Sequence, residues 1–205
     1  HNAYAIYDIP QEIAYDKNFI DFYNYSANTD WIKAISKDSY THDHFFKMSG
    51  GSSRSRYYTS VNYRQEDGTT INTSFQRFSF RANFDYNISD NLRFTTNFTY
   101  TNSLRENNPI LYTYTNSYGE RIRMNIRRMS YIKAPNMSIW EYDENGDLTG
   151  DYFNPIESYQ GSGTRYFNPV AVSNLGMNDV NGNEIHNNFK IDYNIFDWLK
   201  FRESI

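Results

Sequence analysis

Several groups of side chains in this 205-residue chain have types and spacing that could support chemistry. The stretch "DENGDLTGD" (143–151) has oxygen-bearing side chains at alternate positions, as a calcium-binding loop does. Such a loop requires glycine at its sixth position and glutamate at its twelfth, where this chain has Leu148 and Asn154. We therefore predict a hairpin that turns at Asn145-Gly146 and no metal site.

Histidine and serine residues raise two further possibilities, a metal pair and a hydrolytic centre. His42 and His44 share one face of a predicted strand, but no third ligand is evident, which favours a position at the edge of an apolar band. No G-x-S-x-G elbow is present, and His186 has no identifiable serine partner. The glycine-rich "GSGTR" (161–165) lacks the Lys-Ser/Thr pair of a P-loop. We predict no catalytic residue, no metal and no cofactor, and hence a protein that is not an enzyme.

Charge and composition exclude other classes of function. The formal net charge is −4 and the 20 Lys and Arg residues are scattered along the chain, so we expect no nucleic-acid partner. Cysteine is absent, which removes disulfides and thiolate sites. The mean hydropathy of −0.81 is strongly polar, yet 19% of the residues are aromatic. Since disordered chains are poor in aromatic residues, the average must conceal an apolar surface.

Alternating apolar and polar residues show where that surface lies. The stretches "FQRFSFRANFDYNI" (75–88) and "LRFTTNFTYTN" (92–102) change polarity at every position, as strands with one apolar and one polar face do. We interpret the apolar face as lipid-facing, with Phe78, Phe80, Phe84, Tyr86, Phe94, Phe98 and Tyr100. The polar face is then a lumen-facing wall, with Arg77, Arg81, Asn83, Asp85, Arg93 and Asn97.

Strand length and connection length together favour an outer-membrane barrel. A dozen residues at a tilt near 45° climb roughly 28 Å, enough to cross the ~25 Å apolar band of such a barrel. Short turns also alternate with long connections, which is typical of this class. The predicted fold class is all-β, a portion of a large antiparallel transmembrane β-barrel with a long extracellular loop.

Four segments follow from these patterns. Residues 1–39 are predicted as a loop with a short helix near Trp31, residues 40–103 as barrel strands and hairpins, residues 104–184 as a long extracellular loop, and residues 185–205 as further barrel strands. Three consecutive antiparallel strands are expected at 54–66, 75–87 and 92–103. The chain opens at His1 and stops within an alternating strand, so we expect a piece of a longer polypeptide.

Short motifs resemble those of the SusC/RagA family of TonB-dependent outer-membrane transporters. They include "NTDW" (28–31), "SGG" (49–51) before a basic-aromatic strand, "EDGTTINTSFQRFSFRANFDYNI" (66–88), "NPV" (168–170) and "DWLKF" (197–201). The resemblance is good over residues 28–103, adequate over 185–205 and thin between them. It implies an outer-membrane protein that imports oligosaccharides or peptides, with a SusD-like surface lipoprotein as partner. Energy would come from TonB through an N-terminal part that this chain lacks.

Aromatic side chains in the predicted loop are candidates for contact with cargo or with the lipoprotein. They are Trp140, Tyr142, Tyr152, Tyr159 and Tyr166. The other expected partners are membrane lipid and lipopolysaccharide. Two alternatives remain open from the sequence: a soluble or surface-anchored β-sandwich that binds glycan, and an outer-membrane barrel enzyme.

Overall fold

The computed structural model describes residues 22–154 and 167–205, which fall into two compact units. We call them the sheet unit (residues 39–68, 74–106 and 179–205) and the loop unit (the described residues of 1–38, 69–73 and 107–178). The elements in chain order are α1 (Phe22–Tyr25), α2 (Trp31–Ala34), β1 (Thr41–Gly51), β2 (Ser55–Asp67), β3 (Ser74–Asn87), β4 (Leu92–Glu106), β5 (Tyr112–Thr115), β6 (Arg121–Met124), α3 (Ile126–Ile132), β7 (Trp140–Tyr142), β8 (Leu148–Tyr152), α4 (Pro169–Leu175), β9 (Asp179–Phe196) and β10 (Leu199–Ser204).

The sheet unit is one antiparallel sheet of six strands in the order β1-β2-β3-β4-β9-β10. The three consecutive strands predicted near 54–66, 75–87 and 92–103 are present as β2, β3 and β4, paired without a break in register. These strands hold 13 to 15 residues, against the five or six usual in soluble sheets. The predicted fold class, an antiparallel portion of a barrel, is consistent with this sheet.

The strands extend further than the apolar alternation indicates. β4 continues to Glu106, and β9 begins at Asp179, before the strand predicted from residue 185. The added residues are mostly polar, so alternation does not reveal them, but their backbones still pair, with Asn102 opposite Asn183. The Asn102 Nδ2 also donates to the Asn183 Oδ1 at 2.9 Å. Hydrogen bonds between side-chain amides therefore connect β4 and β9 beyond the point where the apolar residues end.

The loop unit has its own core, formed mainly by methionine and aliphatic residues. Fully or nearly fully buried side chains include Tyr25, Trp31, Ile35, Met124, Ile126, Met129, Met137, Phe153 and Val170. Helix α3 begins after Asn125, whose side chain accepts from the Arg128 N–H. The sequence prediction missed α3 and α4 because each has only seven residues, too short for a clear helical period.

The predicted N-terminal helix is confirmed as the single turn α2. Asp30 is its N-cap and accepts a hydrogen bond of 2.9 Å from the Lys33 N–H. Trp31 opens the turn and is 2% exposed, so the cap orients a core residue. Among the described residues, no helix is both long enough and apolar enough to cross a membrane.

Candidate functional site

The apolar face of the sheet is an extended aromatic surface. Register places Phe80 opposite Tyr100 and Phe84 opposite Thr96, so the even-numbered residues predicted as apolar in β3 and β4 lie on the same face of the sheet. Neighbouring rings make contact across the strands, as in Phe80–Phe98 at 6.1 Å and Phe94–Phe189 at 6.1 Å between ring centroids. Phe78, Phe84 and Tyr86 remain 38–40% exposed. This face therefore offers a continuous apolar surface that no described element covers completely.

The polar face carries every Lys and Arg of the six strands. Half of the 20 Lys and Arg residues of the chain lie there. They are Lys47, Arg56, Arg64, Arg77, Arg81, Arg93, Arg105, Lys190, Lys200 and Arg202. The apolar face has no basic residue in these strands. Basic residues that are scattered along the sequence are thus collected on one surface, because their spacing follows the two-residue period of the strands.

Ion pairs occupy the polar face at the short-turn end of the sheet, the end that carries the β3–β4 and β9–β10 turns. Arg93 contacts Asp85 at 2.9 Å, and the Thr95 hydroxyl donates to the same carboxylate at 2.6 Å. Asp192 contacts Arg202 at 2.6 Å and Lys190 at 3.0 Å. Each of these two carboxylates is therefore held by two donors within the sheet.

The residues predicted for the two walls therefore sort onto two opposite faces of one sheet. Arg77, Arg81, Asn83 and Asp85 alternate along β3 with the predicted lipid-facing set, and Arg93 and Asn97 lie on the same polar face from β4. Pairing of Asn83 with Asn97 places these two directly opposite. That one face meets lipid and the other a lumen remains a proposal, taken up below.

The family-like motifs in the loop unit hold distant parts of its backbone together through side-chain hydrogen bonds. In "NTDW" the Thr29 hydroxyl donates to the Met137 carbonyl at 2.6 Å, and the Trp31 indole N–H donates to the Ala134 carbonyl at 2.8 Å. In "NPV" the Asn168 side chain caps α4 and donates to the Ile139 carbonyl at 2.8 Å. These polar groups are buried or half-buried, so each bond replaces water that folding has removed.

An aromatic cleft in the loop unit brings together two of the residues predicted to contact cargo or lipoprotein. Trp140 and Tyr142 line it with Tyr23, and the open volume is about 450 Å³. Trp140 is 41% exposed, and its ring stacks on Tyr152 at 4.6 Å between centroids. The described lining has no charged side chain. Tyr159 and Tyr166 lie outside the described residues.

Buried Asn24 holds the walls of this cleft together, a role that sequence reasoning missed because one asparagine in a loop carries no pattern. Its Nδ2 donates to the Tyr142 carbonyl at 2.9 Å, and its Oδ1 accepts from the Tyr142 N–H at 2.8 Å. Its own carbonyl accepts from the Ser138 N–H at 2.9 Å. The side chain therefore acts as an extra strand partner for β7.

Replacing Asn24 with Ala is expected to destabilise the cleft by about 2 kcal/mol, because two partly buried backbone groups of Tyr142 lose their hydrogen-bond partner. Hydrogen exchange of the full-length protein should show faster exchange at 140–142, with exchange in the sheet unit unchanged. Asn28→Ala, at an exposed position of the same loop, is the control. Equal protection of the hairpin in both variants would contradict the assigned role.

The candidate calcium loop is a hairpin turn, as predicted. β7 pairs with β8, and Gly146 has a φ of +87° at the turn, the left-handed region that favours glycine. The Asp143 carboxylate accepts from the N–H groups of Asp147 and Asn145, both at 2.9 Å. These hydrogen bonds lower the pKa of Asp143 below its usual value, and the bond from the Asp147 N–H has the largest effect. The carboxylate is thus engaged by the turn.

The His42 and His44 rings stack in parallel on the apolar face of β1, with centroids 6.4 Å apart. Both histidines share that face with Phe46 and Met48. They lie next to the end of the strand where Thr41 pairs with Glu66. The arrangement agrees with a position at the rim of the apolar surface, which the sequence analysis favoured over a metal pair.

Lys133 is a buried base in the core of the loop unit. It is 4% exposed, and its ammonium lies 5.9 Å from the centre of the Trp31 ring. Burial lowers the pKa of Lys133 to about 7. We therefore expect the buried Lys133 side chain to change its protonation state near neutral pH.

Comparison with known proteins gives distant but extensive matches. No family model matches the chain. It is 25% identical over 191 residues to TonB-dependent receptor P3 of Formosa agariphila, which covers 93% of this chain and 17% of that protein. It is 26% identical over 170 residues to TonB-dependent receptor SusC of Bacteroides thetaiotaomicron. That match covers 82% of this chain and 17% of SusC. The chain thus spans under a fifth of either relative.

Solved structures give the same result for the fold. A chain of the RagAB peptide transporter superposes with a TM-score of 0.58 at 21% identity, covering 90% of this chain and 19% of that one. A chain of the RagAB peptide importer in its closed-closed state gives a TM-score of 0.57 with the same coverage. The structural likeness establishes the fold, and the sequence matches confirm the resemblance seen in the motifs. The chain therefore matches a portion of the β-barrel of SusC/RagA-type TonB-dependent receptors, which are proteins of the bacterial outer membrane.

Proposed function

We propose that this segment forms part of the wall and one outer loop of a transporter that imports oligosaccharides or peptides. A SusD-like lipoprotein would be its partner at the surface, and TonB would supply energy through a part of the polypeptide outside this chain. The observation that carries the proposal is the sheet of long strands, with one aromatic face and one face that holds all of its basic residues. RagAB is a peptide importer, which favours peptides as one cargo class.

The orientation of the wall follows from the chemistry of the two faces. Phe78, Phe84 and the other aromatic residues of the apolar face would meet lipid, where an exposed ring costs no free energy. Arg77, Arg81 and the ion pairs of the polar face would line a wet lumen, since charge is expensive in hydrocarbon. A soluble sandwich would need a second sheet over the apolar face, and the described part of the chain contains none of suitable size.

The loop unit would act at the outer surface, because the longer connections of outer-membrane barrels are extracellular. Its cleft has exposed Trp140 and half-buried Tyr142, uncharged and held by Asn24. A rigid aromatic surface loses little side-chain entropy on binding, and aromatic residues are enriched at the centres of protein interfaces. Trp140, Tyr142 and Tyr152 are therefore the proposed contacts for cargo or lipoprotein, together with Tyr159 and Tyr166.

Replacing Trp140 with Ala in the full-length transporter tests this assignment. We expect weaker co-purification of the lipoprotein or slower uptake, by about tenfold, since exposed interface tryptophans often contribute more than 1 kcal/mol. Tyr118→Ala is the matched control, because Tyr118 is an 89% exposed aromatic residue in the β5–β6 turn. Heat-modifiable gel migration would verify barrel assembly. Unchanged uptake and association in an assembled Trp140→Ala barrel would remove the cleft from the mechanism.

A further inference from the structure

Three arginine residues lie near one another on the polar face of the sheet at its long-connection end, where residues 68–73 and 107–178 leave the strands. Register puts Arg64 directly opposite Arg77, while Arg105 lies opposite Phe75, two residues along from the Arg77–Ser103 pair. Cβ atoms at directly opposite positions lie about 5 Å apart and those at diagonal positions about 7–8 Å apart, so Arg77 lies between Arg64 and Arg105 and close to each. We call Arg64, Arg77 and Arg105 the arginine cluster.

The positive charge of the arginine cluster is only partly balanced. Arg64 pairs with Asp43 at 3.7 Å and with Glu66. In the part of the chain that the structure describes, neither Arg77 nor Arg105 has a carboxylate within ion-pair distance. The Nε of Arg77 is shielded from solvent and has no hydrogen-bond acceptor within those residues. Like charges directly opposite destabilise a sheet, so this arrangement favours an added anion.

At the other end of the sheet, two carboxylates bind basic side chains. Asp85 and Asp192 each bind cations there at 2.6 to 3.0 Å. Arg105, by contrast, lies over the ring of Phe75 at 5.2 Å, a contact that orients a guanidinium without neutralising it. Among the described residues Lys47, Arg56, Arg81 and Lys200 also have no ion pair, so the arginine cluster is distinguished by two directly opposed arginines and by the shielded Nε of Arg77.

A serine hydroxyl lies beside the cluster. One row across the sheet reads Asp43, Arg64, Arg77, Ser103, Gly182. Gly182 puts no side chain on the face, and the Ser103 Oγ lies where a Cβ of residue 182 would be only 2.9 Å away. A glycine at this position therefore leaves room for the Ser103 hydroxyl next to Arg77, as an additional donor. Guanidinium groups and a hydroxyl side by side are the donors that an oxyanion requires.

We propose that the arginine cluster binds carboxylate groups of the cargo. A carboxylate fits the planar fork of a guanidinium in a bidentate way. Asp43 and Glu66 already contact this cluster, and their two negative charges disfavour a multiply charged anion such as a phosphate dianion. The inference rests on the proposed function, since the polar face must line the transport path for cargo to reach it. The expected cargo is an acidic oligomer.

Calorimetric titration of the detergent-purified full-length transporter tests the site. The probes are triglutamate and trigalacturonate, which separate a peptide source of the carboxylate from a sugar source, with triglutamine and galactotriose as neutral counterparts. We expect at least one acidic probe to bind about tenfold or more tightly than its neutral counterpart, with affinity falling as salt rises. Arg77→Gln should remove about tenfold of that affinity. Gly182→Val should weaken binding without a change of charge.

Arg54→Gln is the matched control, because it removes the same charge from the β1–β2 turn at the opposite end of the sheet. Equal affinity for acidic and neutral probes, or equal losses in Arg54→Gln and Arg77→Gln, would overturn the proposal. Binding of neither acidic probe would also overturn it and would suit an acidic segment of the same polypeptide as occupant. Failure of cells with the wild-type protein to import any oligomer would instead refute the proposed function.

Discussion

Phe98→Arg is expected to destabilise the barrel by about 2–4 kcal/mol, whereas Asn97→Arg, one residue earlier, should cost well under 1 kcal/mol. Phe98 lies near the middle of the 15-residue strand β4, on the apolar face, with its ring 6.1 Å from that of Phe80. An arginine there would place a charge at the depth where lipid solvates it worst. Asn97 faces the opposite side, in a neutral row between Asn83 and Asn188.

Folding titrations of the full-length barrel into lipid vesicles would measure both variants. The pair is well matched, because each variant adds one arginine to the same strand at the same depth. Only the face differs. Similar losses in the two variants would show that the apolar face does not meet lipid. They would support the alternative in which another part of the protein covers that face. A larger loss in Asn97→Arg would reverse the assignment of the faces.

The two faces of the sheet could be predicted from sequence because the alternation of apolar and polar residues is a property of each strand by itself. Each strand has one apolar and one polar face, so alternation alone locates Phe80 and Phe84 on one side and Arg77 and Arg81 on the other. Cross-strand register could not be predicted in this way, since it depends on which residues meet. Arg64 and Arg77 are 13 positions apart in sequence, and nothing in their spacing shows that they are directly opposite.

The loop unit was harder to predict because its stability is non-local. Its core joins Tyr25 and Trp31 to Met124, Met137 and Phe153 across about 100 positions of chain. Aromatic content drew attention to Trp140 and Tyr142, which line the cleft, but the described core is a mixture of methionine, aliphatic and aromatic residues that shows no period in segments this short. A deletion of residues 136–167 would therefore remove core residues as well as exposed rings, so point variants test the cleft more cleanly.

Lys133 gives the loop unit an expected dependence on pH. Its pKa falls from 10.5 in the unfolded chain to about 7 in the folded unit, because burial penalises the ammonium. A shift of this size corresponds to about 5 kcal/mol. Between pH 7 and 10.5 the unfolded chain binds the proton and the folded unit does not. The stability of the unit should therefore rise with pH across that window.

Lys133→Met should stabilise the loop unit at pH 6 by about 3–5 kcal/mol, because a thioether of similar length replaces a buried charge. The gain should shrink as pH rises and largely vanish above pH 10.5, where the lysine is neutral in both states. Hydrogen exchange in helix α3 of the full-length protein, corrected for the intrinsic exchange rate, would report the free energy of opening at each pH. Lys33→Met, at an exposed position of α2, is the control and should leave the profile unchanged. A gain that is constant from pH 6 to 10.5 would show that Lys133 keeps one protonation state throughout, and burial would then not control its pKa.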